Sequence, residues 1–266
     1  MSFPFVKGHG THNDFVVLPD LDGSVHGDLD PRVVAAVCDR RGGIGADGVL
    51  RVLGGGHEAP WFMDYRNADG SVSEMCGNGI RVFARYLAEA GLVDSAKPLA
   101  VDTRDGLKQV TFCDDGEISV DMGVPAVRDL VTVSVCGQAL DAVSADIGNP
   151  HAVVIIDSLD QVGDLRDSPF FCGVEFPHGV NLEFVERRGN GRVGMRVFER
   201  GVGETSSCGT GACVVAAVMA ARDGRTSPTS YTIDVAGGVL TVRLDADQHA
   251  HLKGPAVLVA EGTWTA

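Results

Sequence analysis

Met75-Cys76-Gly77-Asn78-Gly79-Ile80-Arg81-Val82-Phe83-Ala84 and, 132 residues later, Ser207-Cys208-Gly209-Thr210-Gly211-Ala212-Cys213-Val214-Val215-Ala216 are two versions of one phrase. Each reads Cys-Gly-x-Gly and runs into a segment rich in Ala and other apolar residues, which predicts a helix. The offset is almost half of the 266 residues. At the same offset Met63 falls on Met195, and Gly70 precedes Cys76 much as Gly203 precedes Cys208. Two fainter echoes lie further out. Asn13 stands before one β-rich run as Asn149 stands before another, and the loop 45–48 resembles 179–181. The pattern predicts an internal duplication: two similar α+β halves, each with one cysteine at the N-terminus of its central helix. Gly123-Val124-Pro125 marks a boundary near 123–130.

The rest of the chain fits that plan. Short β-rich runs bounded by turn residues predict strands at 15–18, 49–53, 99–102, 109–112, 117–120, 131–135, 152–156, 181–185, 192–198, 229–235, 239–244 and 257–261. A third helix is expected over 31–39, with Pro31 at its start. Hydrophobic residues make up 44% and charged residues 22%, ordinary globular values that exclude wholesale disorder. The net charge of −14 disfavours nucleic acid and anionic membrane surfaces as partners. No apolar run is long enough to span a membrane, and residues 1–10 lack the pattern of a signal peptide. The seven cysteines (38, 76, 113, 136, 172, 208 and 213) include no CxxC pair. Neither a disulfide framework nor a cysteine-rich zinc site is expected, and unpaired thiols suit a reducing cytoplasm.

The repeated phrase carries chemistry. A thiol at a helix N-terminus feels about half a positive charge from the aligned peptides, which favours thiolate. The adjacent glycines let backbone N–H groups approach an anion closely, and a carboxylate suits such a nest. Two pseudo-symmetric thiols are therefore expected on opposite sides of one bound anion. That arrangement suits inversion at a carbon α to a carboxylate: one thiolate removes the proton from one face and the other thiol supplies a proton to the opposite face. Negative charge flowing into the carboxylate would be stabilised by the helix N-termini. The chemistry needs no metal or organic cofactor.

Further motifs give this reading a family. Lys7-Gly8-His9-Gly10-Thr11-His12-Asn13-Asp14-Phe15, Gly43-Ile44-Gly45-Ala46-Asp47-Gly48, Asn67-Ala68-Asp69-Gly70-Ser71, Gly148-Asn149-Pro150-His151, Gly179-Val180-Asn181 and Glu199-Arg200-Gly201-Val202-Gly203-Glu204-Thr205 flank the two cysteine phrases in order. Together they cover nearly the whole chain, which resembles the diaminopimelate epimerases. The resemblance implies two pseudo-symmetric halves, each a curled mixed β-sheet or barrel around a central helix. They are expected at 1–122, with a C-terminal strand 252–266 returning to it, and at 123–251. It also implies a homodimer, no cofactor, and interconversion of LL- and meso-diaminopimelate in lysine and peptidoglycan precursor synthesis.

By the same resemblance Cys76 and Cys208 are the acid/base pair, Cys76 abstracting from the LL isomer and Cys208 from the meso isomer. Gly77, Asn78, Gly209 and Thr210 match positions whose backbone holds the reacting carboxylate. Diaminopimelate carries an amino-acid group at both ends, so the distal end needs its own clamp. Arg200 matches the residue that pairs with the distal carboxylate, as a planar guanidinium can do bidentately. Asn67, Asn181 and Glu199 match further polar contacts, and Asn13 and Asn149 match ligand-binding positions. His151 and Glu199 match residues that adjust the two thiols. One departure stands out: Gly48 occupies a place where many family members carry a ligand-contacting Gln. The other five cysteines read as small buried hydrophobes. His249 and His251, two apart, read as a solvated strand rather than metal ligands. Rival readings are a proline or hydroxyproline racemase, which has no use for a distal clamp, and a thiol redox protein, which leaves the flanking motifs unexplained.

Overall fold

The computed structural model describes residues 2–135, 137–165, 170–171, 176–177 and 179–265. They form two units, Met1–Val120 with Gly254–Ala266, and Asp121–Lys253. The elements of the first stretch are β1 (Ser2–Gly10), β2 (Asn13–Pro19), α1 (Pro31–Cys38), β3 (Gly48–Gly54), β4 (Trp61–Asn67), α2 (Gly77–Glu89), β5 (Leu99–Thr103), β6 (Gly106–Phe112) and β7 (Ile118–Asp121). Then follow β8 (Ala126–Val135), β9 (Gln138–Asp146), β10 (Pro150–Ile156), the two-residue β11 (Phe170–Phe171), β12 (Asn181–Gly189), β13 (Arg192–Glu199), β14 (Gly203–Thr205), α3 (Gly209–Arg222), β15 (Thr229–Val235), β16 (Gly238–Leu244) and β17 (Ala250–Gly254). The last strand, β18 (Val257–Thr265), pairs antiparallel with β1.

The strand pairings repeat. In the first unit the path β18-β1-β2 is antiparallel, β2–β3 parallel, β3–β4 antiparallel, β4–β5 parallel, and β5-β6-β7 antiparallel. In the second, β8-β9-β10 is antiparallel, β10–β12 parallel, β12–β13 antiparallel, β13–β15 parallel, and β15-β16-β17 antiparallel. The sense of every step matches. A parallel step needs a crossover, and the long helix of each unit supplies one: α2 between β4 and β5, α3 between β13 and β15. Each of these helices is buried over most of its length, including Ile80, Val82, Phe83 and Leu87 in α2 and Val214, Val215, Val218 and Met219 in α3. α3 is apolar on nearly all sides and α2 on its inward face, so both pack against the sheet that flanks them.

Apart from the faces on these two helices, each unit has a further apolar cluster, the first of them built on α1. Phe3, Val16, Leu18, Val34, Val37 and Val49 form one cluster in the first unit. Val133, Val154, Phe176, Leu182 and Phe184 form one in the second. The turn from β1 to β2 has two residues, Thr11 and His12, at φ 47° and 63°. Left-handed backbone is strained for both residue types. The turn sets Gly10 opposite Asn13, so Asn13 opens β2.

The strand runs read from sequence omit β1, β4, β9, β11, β14 and β17, and two of these show the physical reason. β1 is broken up by Pro4, Gly8 and Gly10. β4 carries a charge where an apolar residue is expected: Asp64 is 2% exposed. It is satisfied by Arg66 Nε at 2.7 Å and Arg104 at 2.6 Å. β8 is also longer than expected, because its N-terminal half is exposed and gives no apolar signal. Cys38 and Cys213 are buried as expected, but Cys113 is only half-buried, near the end of a hairpin. Cys136, Cys172 and His178 lie outside the described residues. His249 and His251 each face a carboxylate, Asp121 at 2.9 Å and Asp245 at 2.8 Å. Among the described residues no helix is long and apolar enough to cross a membrane, and no cluster of His, Cys, Asp and Glu is arranged to hold a metal.

A second buried charge pair fixes β3. Arg51 meets Asp20 at 2.6 Å, and Asp20 also accepts the N–H groups of Val25 at 2.8 Å and His26 at 3.1 Å. Removing one member of such a pair strands the other. Arg51→Met is expected to destabilise the protein by about 3–5 kcal/mol in urea unfolding, and adding Asp20→Asn to recover part of that loss.

Candidate active site

In the first unit Cys76 is the N-cap of α2, in extended conformation at φ −144° and ψ 120°. Its Sγ accepts the Gly79 N–H at 3.3 Å, as a serine oxygen does at an ordinary helix start. The first intrahelical bond runs from Ile80 N–H to the Cys76 carbonyl at 2.9 Å. Gly77 and Asn78 thus lie in the first turn, where N–H groups have no carbonyl of their own helix to meet. Asn13 Oδ1 stands 3.6 Å from Cys76 Sγ and accepts Asn78 Nδ2 at 3.1 Å. Asn13 is held in turn by Asp47, which accepts its Nδ2 at 2.8 Å.

Arg81 locks this turn from below. It is wholly buried and donates to the Gly77 carbonyl at 3.0 Å and to Asn78 Oδ1 at 2.9 Å. Asp47 and Arg81 were absent from the candidate residues read from sequence. The available signal was an arginine inside the apolar run Ile80-Arg81-Val82-Phe83-Ala84, because a charged residue in such a run needs a partner if it is buried. Asn67, at the end of β4, caps a tight turn, its Nδ2 donating to Ser71 Oγ at 3.0 Å. Gly48 pairs with Asn67 across the β3–β4 ladder. A Cβ at residue 48 would lie 2.5 Å from the Arg66 carbonyl and 2.8 Å from the Tyr65 ring. The Tyr65 ring and the β4 backbone therefore fill the space that the family's glutamine would need.

The second unit repeats the pattern with different partners. Cys208 caps α3 at φ −124° and ψ 119°, and its Sγ accepts the Gly211 N–H at 3.4 Å. Thr210 Oγ1 lies 3.4 Å from the same sulfur and 3.4 Å from Asn149 Nδ2. His151 faces Asn149 Oδ1 through Nε2 at 3.0 Å, and Glu183 Oε1 through Nδ1 at 2.6 Å. Asn181 Oδ1 accepts the backbone N–H of Arg200 at 2.9 Å, which anchors the exposed turn carrying that guanidinium. Glu199 accepts the Thr205 hydroxyl. The structure thus gathers Asn13, Cys76, Gly77 and Asn78 in one unit. In the other it gathers Asn149, His151, Cys208 and Thr210, with Asn181 beside Arg200.

Electrostatics corrects one expectation. The helix terminus alone predicts a thiol shifted toward thiolate, yet Cys208 is raised well above the ordinary cysteine value. Burial is the main cause, and the carboxylates of Glu199 and Glu183 add to it. Hydrogen bonds from Thr210 and the Gly211 N–H oppose the rise without cancelling it. Buried in this way, Cys208 is held toward the thiol form, fit to give a proton. Cys38, buried in the core beside α1, is pushed up to about 11 by burial, as befits a packing residue.

Two duplicated sheets, each with a long buried helix, make up a fold class that solved structures share. A phenazine biosynthesis protein from Bacillus anthracis shares it at a TM-score of 0.81 over 100% of both chains, with 18% identity. A hydroxyproline epimerase from Agrobacterium vitis shares it at 0.72 over 98% of this chain and 92% of its own, also with 18% identity. Within that class the chain belongs to the diaminopimelate epimerase family, whose sequence model matches residues 5–127 and 143–259. The diaminopimelate epimerase of Streptomyces coelicolor is 50% identical, covering 97% of this chain and 94% of its own. Those of Thermobifida fusca and Corynebacterium glutamicum are 46% and 43% identical, covering 97% and 98% of this chain and 96% and 98% of their own. The chain is an isomerase.

The groups around Cys208 act on it with opposite signs, which gives a paired test. Thr210→Val removes a hydrogen bond to the thiolate and is expected to move the Cys208 titration to higher pH. Glu199→Gln removes a negative charge and is expected to move it to lower pH. The pH dependence of Cys208 alkylation, followed on its own peptide by mass, reads both shifts.

Proposed function

We propose that this protein interconverts LL- and meso-diaminopimelate by a two-base mechanism with Cys76 and Cys208 as the acid/base pair. The observation that carries the proposal is the repeated cap: in a chain of this family, a cysteine sulfur occupies the same place at the start of the central helix in both units. The reacting carboxylate is held by the first-turn backbone of Gly77, Asn78, Gly209 and Thr210, where both helix termini favour negative charge. One sulfur, as thiolate, takes the α proton. The electron pair left on carbon spreads into the carboxylate, and the opposite sulfur, as thiol, protonates the other face. One C–H bond breaks, one forms, and nothing is oxidised.

Proton accounting sets the direction of each turnover. Conversion of the LL isomer starts with Cys76 as thiolate and Cys208 as thiol, and ends with the proton on Cys76 and the charge on Cys208. The raised Cys208 thiol supports the first of these states. The meso isomer needs the reverse state. Arg200 binds the distal carboxylate, and Asn67, Asn181 and Glu199 complete the distal recognition, while Asn13 and Asn149 contact the substrate beside the thiols. His151 and Glu199 adjust the sulfurs. The product feeds lysine and peptidoglycan precursor synthesis in the cytoplasm, and the working unit is a homodimer.

Proton NMR of LL-diaminopimelate in D₂O with reduced protein tests the reading. The α-proton signal is expected to disappear as the meso isomer accumulates. Cys76→Ala and Cys208→Ala are each expected to lower epimerisation by about a thousandfold, the weight of one general acid or base. Turnover of proline or hydroxyproline instead would overturn the substrate assignment. Full activity in either variant would overturn the two-base mechanism.

A further inference from the structure

One position of the repeated fold is filled in two different ways. In the first unit the parallel strands β2 and β3 pair Phe15 with Gly48, and Leu50 follows two residues on. In the second the parallel strands β10 and β12 pair His151 with Asn181, and Glu183 follows two residues on. Phe15 and Leu50 thus correspond to His151 and Glu183. Leu50 and Glu183 each lie under the second glycine of their helix. A Cβ on Gly79 would meet Leu50 at 3.1 Å and Phe15 at 3.5 Å, whereas a Cβ on Gly211 would meet Glu183 Oε1 at 2.7 Å. The fold therefore accepts an apolar pair here, and the second unit holds a wholly buried ionisable one in its place.

Hydrogen-bond directions show what that pair contains. Asn149 turns its Nδ2 to Thr210, so its Oδ1 faces His151 Nε2, and an amide oxygen only accepts. In this amide orientation His151 Nε2 carries the hydrogen. The 2.6 Å contact between Nδ1 and Glu183 Oε1 holds one further proton, on nitrogen or on oxygen. In both cases the pair is neutral overall. Glu183 Oε2 is buried with no hydrogen-bond partner. Well-packed apolar residues generally match or exceed the stability of a buried charged pair, so a requirement of the fold does not explain it. Among the described residues, the ionisable or polar groups around this place include Asn149 and His151 at the start of β10, Glu199 from β13, and Cys208 and Thr210 at the start of α3.

We propose that Glu183 is a positioning residue for Cys208: with His151 it forms a buried one-proton pair that fixes the polar side of this thiol, through Asn149 and Thr210, and makes it chemically unlike Cys76. The inference rests on the two-cysteine reading above. With the proton on His151, a carboxylate lies next to the sulfur and favours the thiol. Moving that proton from Nδ1 to Oε1 removes the nearby charge without changing the net charge, and eases formation of the Cys208 thiolate when that residue must act as base.

The test needs no substrate. Iodoacetamide alkylation of Cys208 is followed against pH by peptide mass in the full-length protein, with the Cys76 peptide as internal reference. Comparing each variant's midpoint with wild type, and with the Cys76 peptide of the same sample, isolates the change at Cys208. Glu183→Gln is expected to lower the Cys208 midpoint by about one pH unit and leave that of Cys76 in place. Glu183→Leu with His151→Phe copies the pair of the first unit, is expected to fold, and should bring the Cys208 profile toward that of Cys76. If the Gln variant does not fold, the double variant decides. An unchanged Cys208 midpoint in a folded variant, or an equal shift of both cysteines, overturns the role of Glu183 while wild-type turnover of diaminopimelate stands. Absence of that turnover in wild type overturns the parent reading, a result the alkylation profile cannot produce.

Discussion

The contact on which the rest depends is a sulfur accepting a backbone N–H: Cys76 from Gly79 and Cys208 from Gly211. Each bond makes a cysteine the first residue outside a helix, so that the sulfur sits where unpaired N–H groups and the helix dipole converge. The glycine that donates is required twice over. It supplies the N–H, and its missing side chain lets the helix terminus settle onto two parallel strands. A pair of residues on those strands then lies directly under the thiol. The parallel strand pairs, the crossover helices and the buried faces of those helices serve to bring that terminus to that place.

Once the terminus is placed, its surroundings decide what the sulfur does. A helix dipole pulls a thiol toward thiolate, and burial beside carboxylates pushes it back. For Cys208 burial wins, with Glu199 and Glu183 adding to it. The first unit offers Asn13 to its sulfur and an apolar floor of Phe15 and Leu50. A duplicated fold thus carries two copies of one group in unlike environments. A two-base reaction draws on that difference, because one group must hold a proton while the other lacks it.

Much of this was legible in the chain. The Cys-Gly-x-Gly repeat announced the duplication and both helix starts, and the short β-branched runs announced most strands. The echo of Asn13 in Asn149 proved to be a true correspondence, since each opens or immediately precedes the strand that passes beside its cysteine. What escaped were strands whose pattern is broken by charge or by glycine and proline. Asp64 reads as a surface residue until Arg66 and Arg104 are seen to satisfy it. Glu183 was invisible for the same reason: in the run Asn181-Leu182-Glu183-Phe184-Val185 it reads as the outward residue of a half-exposed strand.

The sequence by itself determined the duplication, the identity of the two capping cysteines and the family, because spacing and residue type are local and additive along the chain. Only the tertiary structure decided which groups surround each thiol. That outcome depends on parallel strand register, on the side of the strand each residue faces, and on burial. These are set by contacts across roughly thirty or more residues, His151 with Glu183 and Arg81 with Pro255 among them. Register and burial convert an ordinary glutamate into a buried neighbour of Cys208, and no pattern in the neighbouring residues encodes that change.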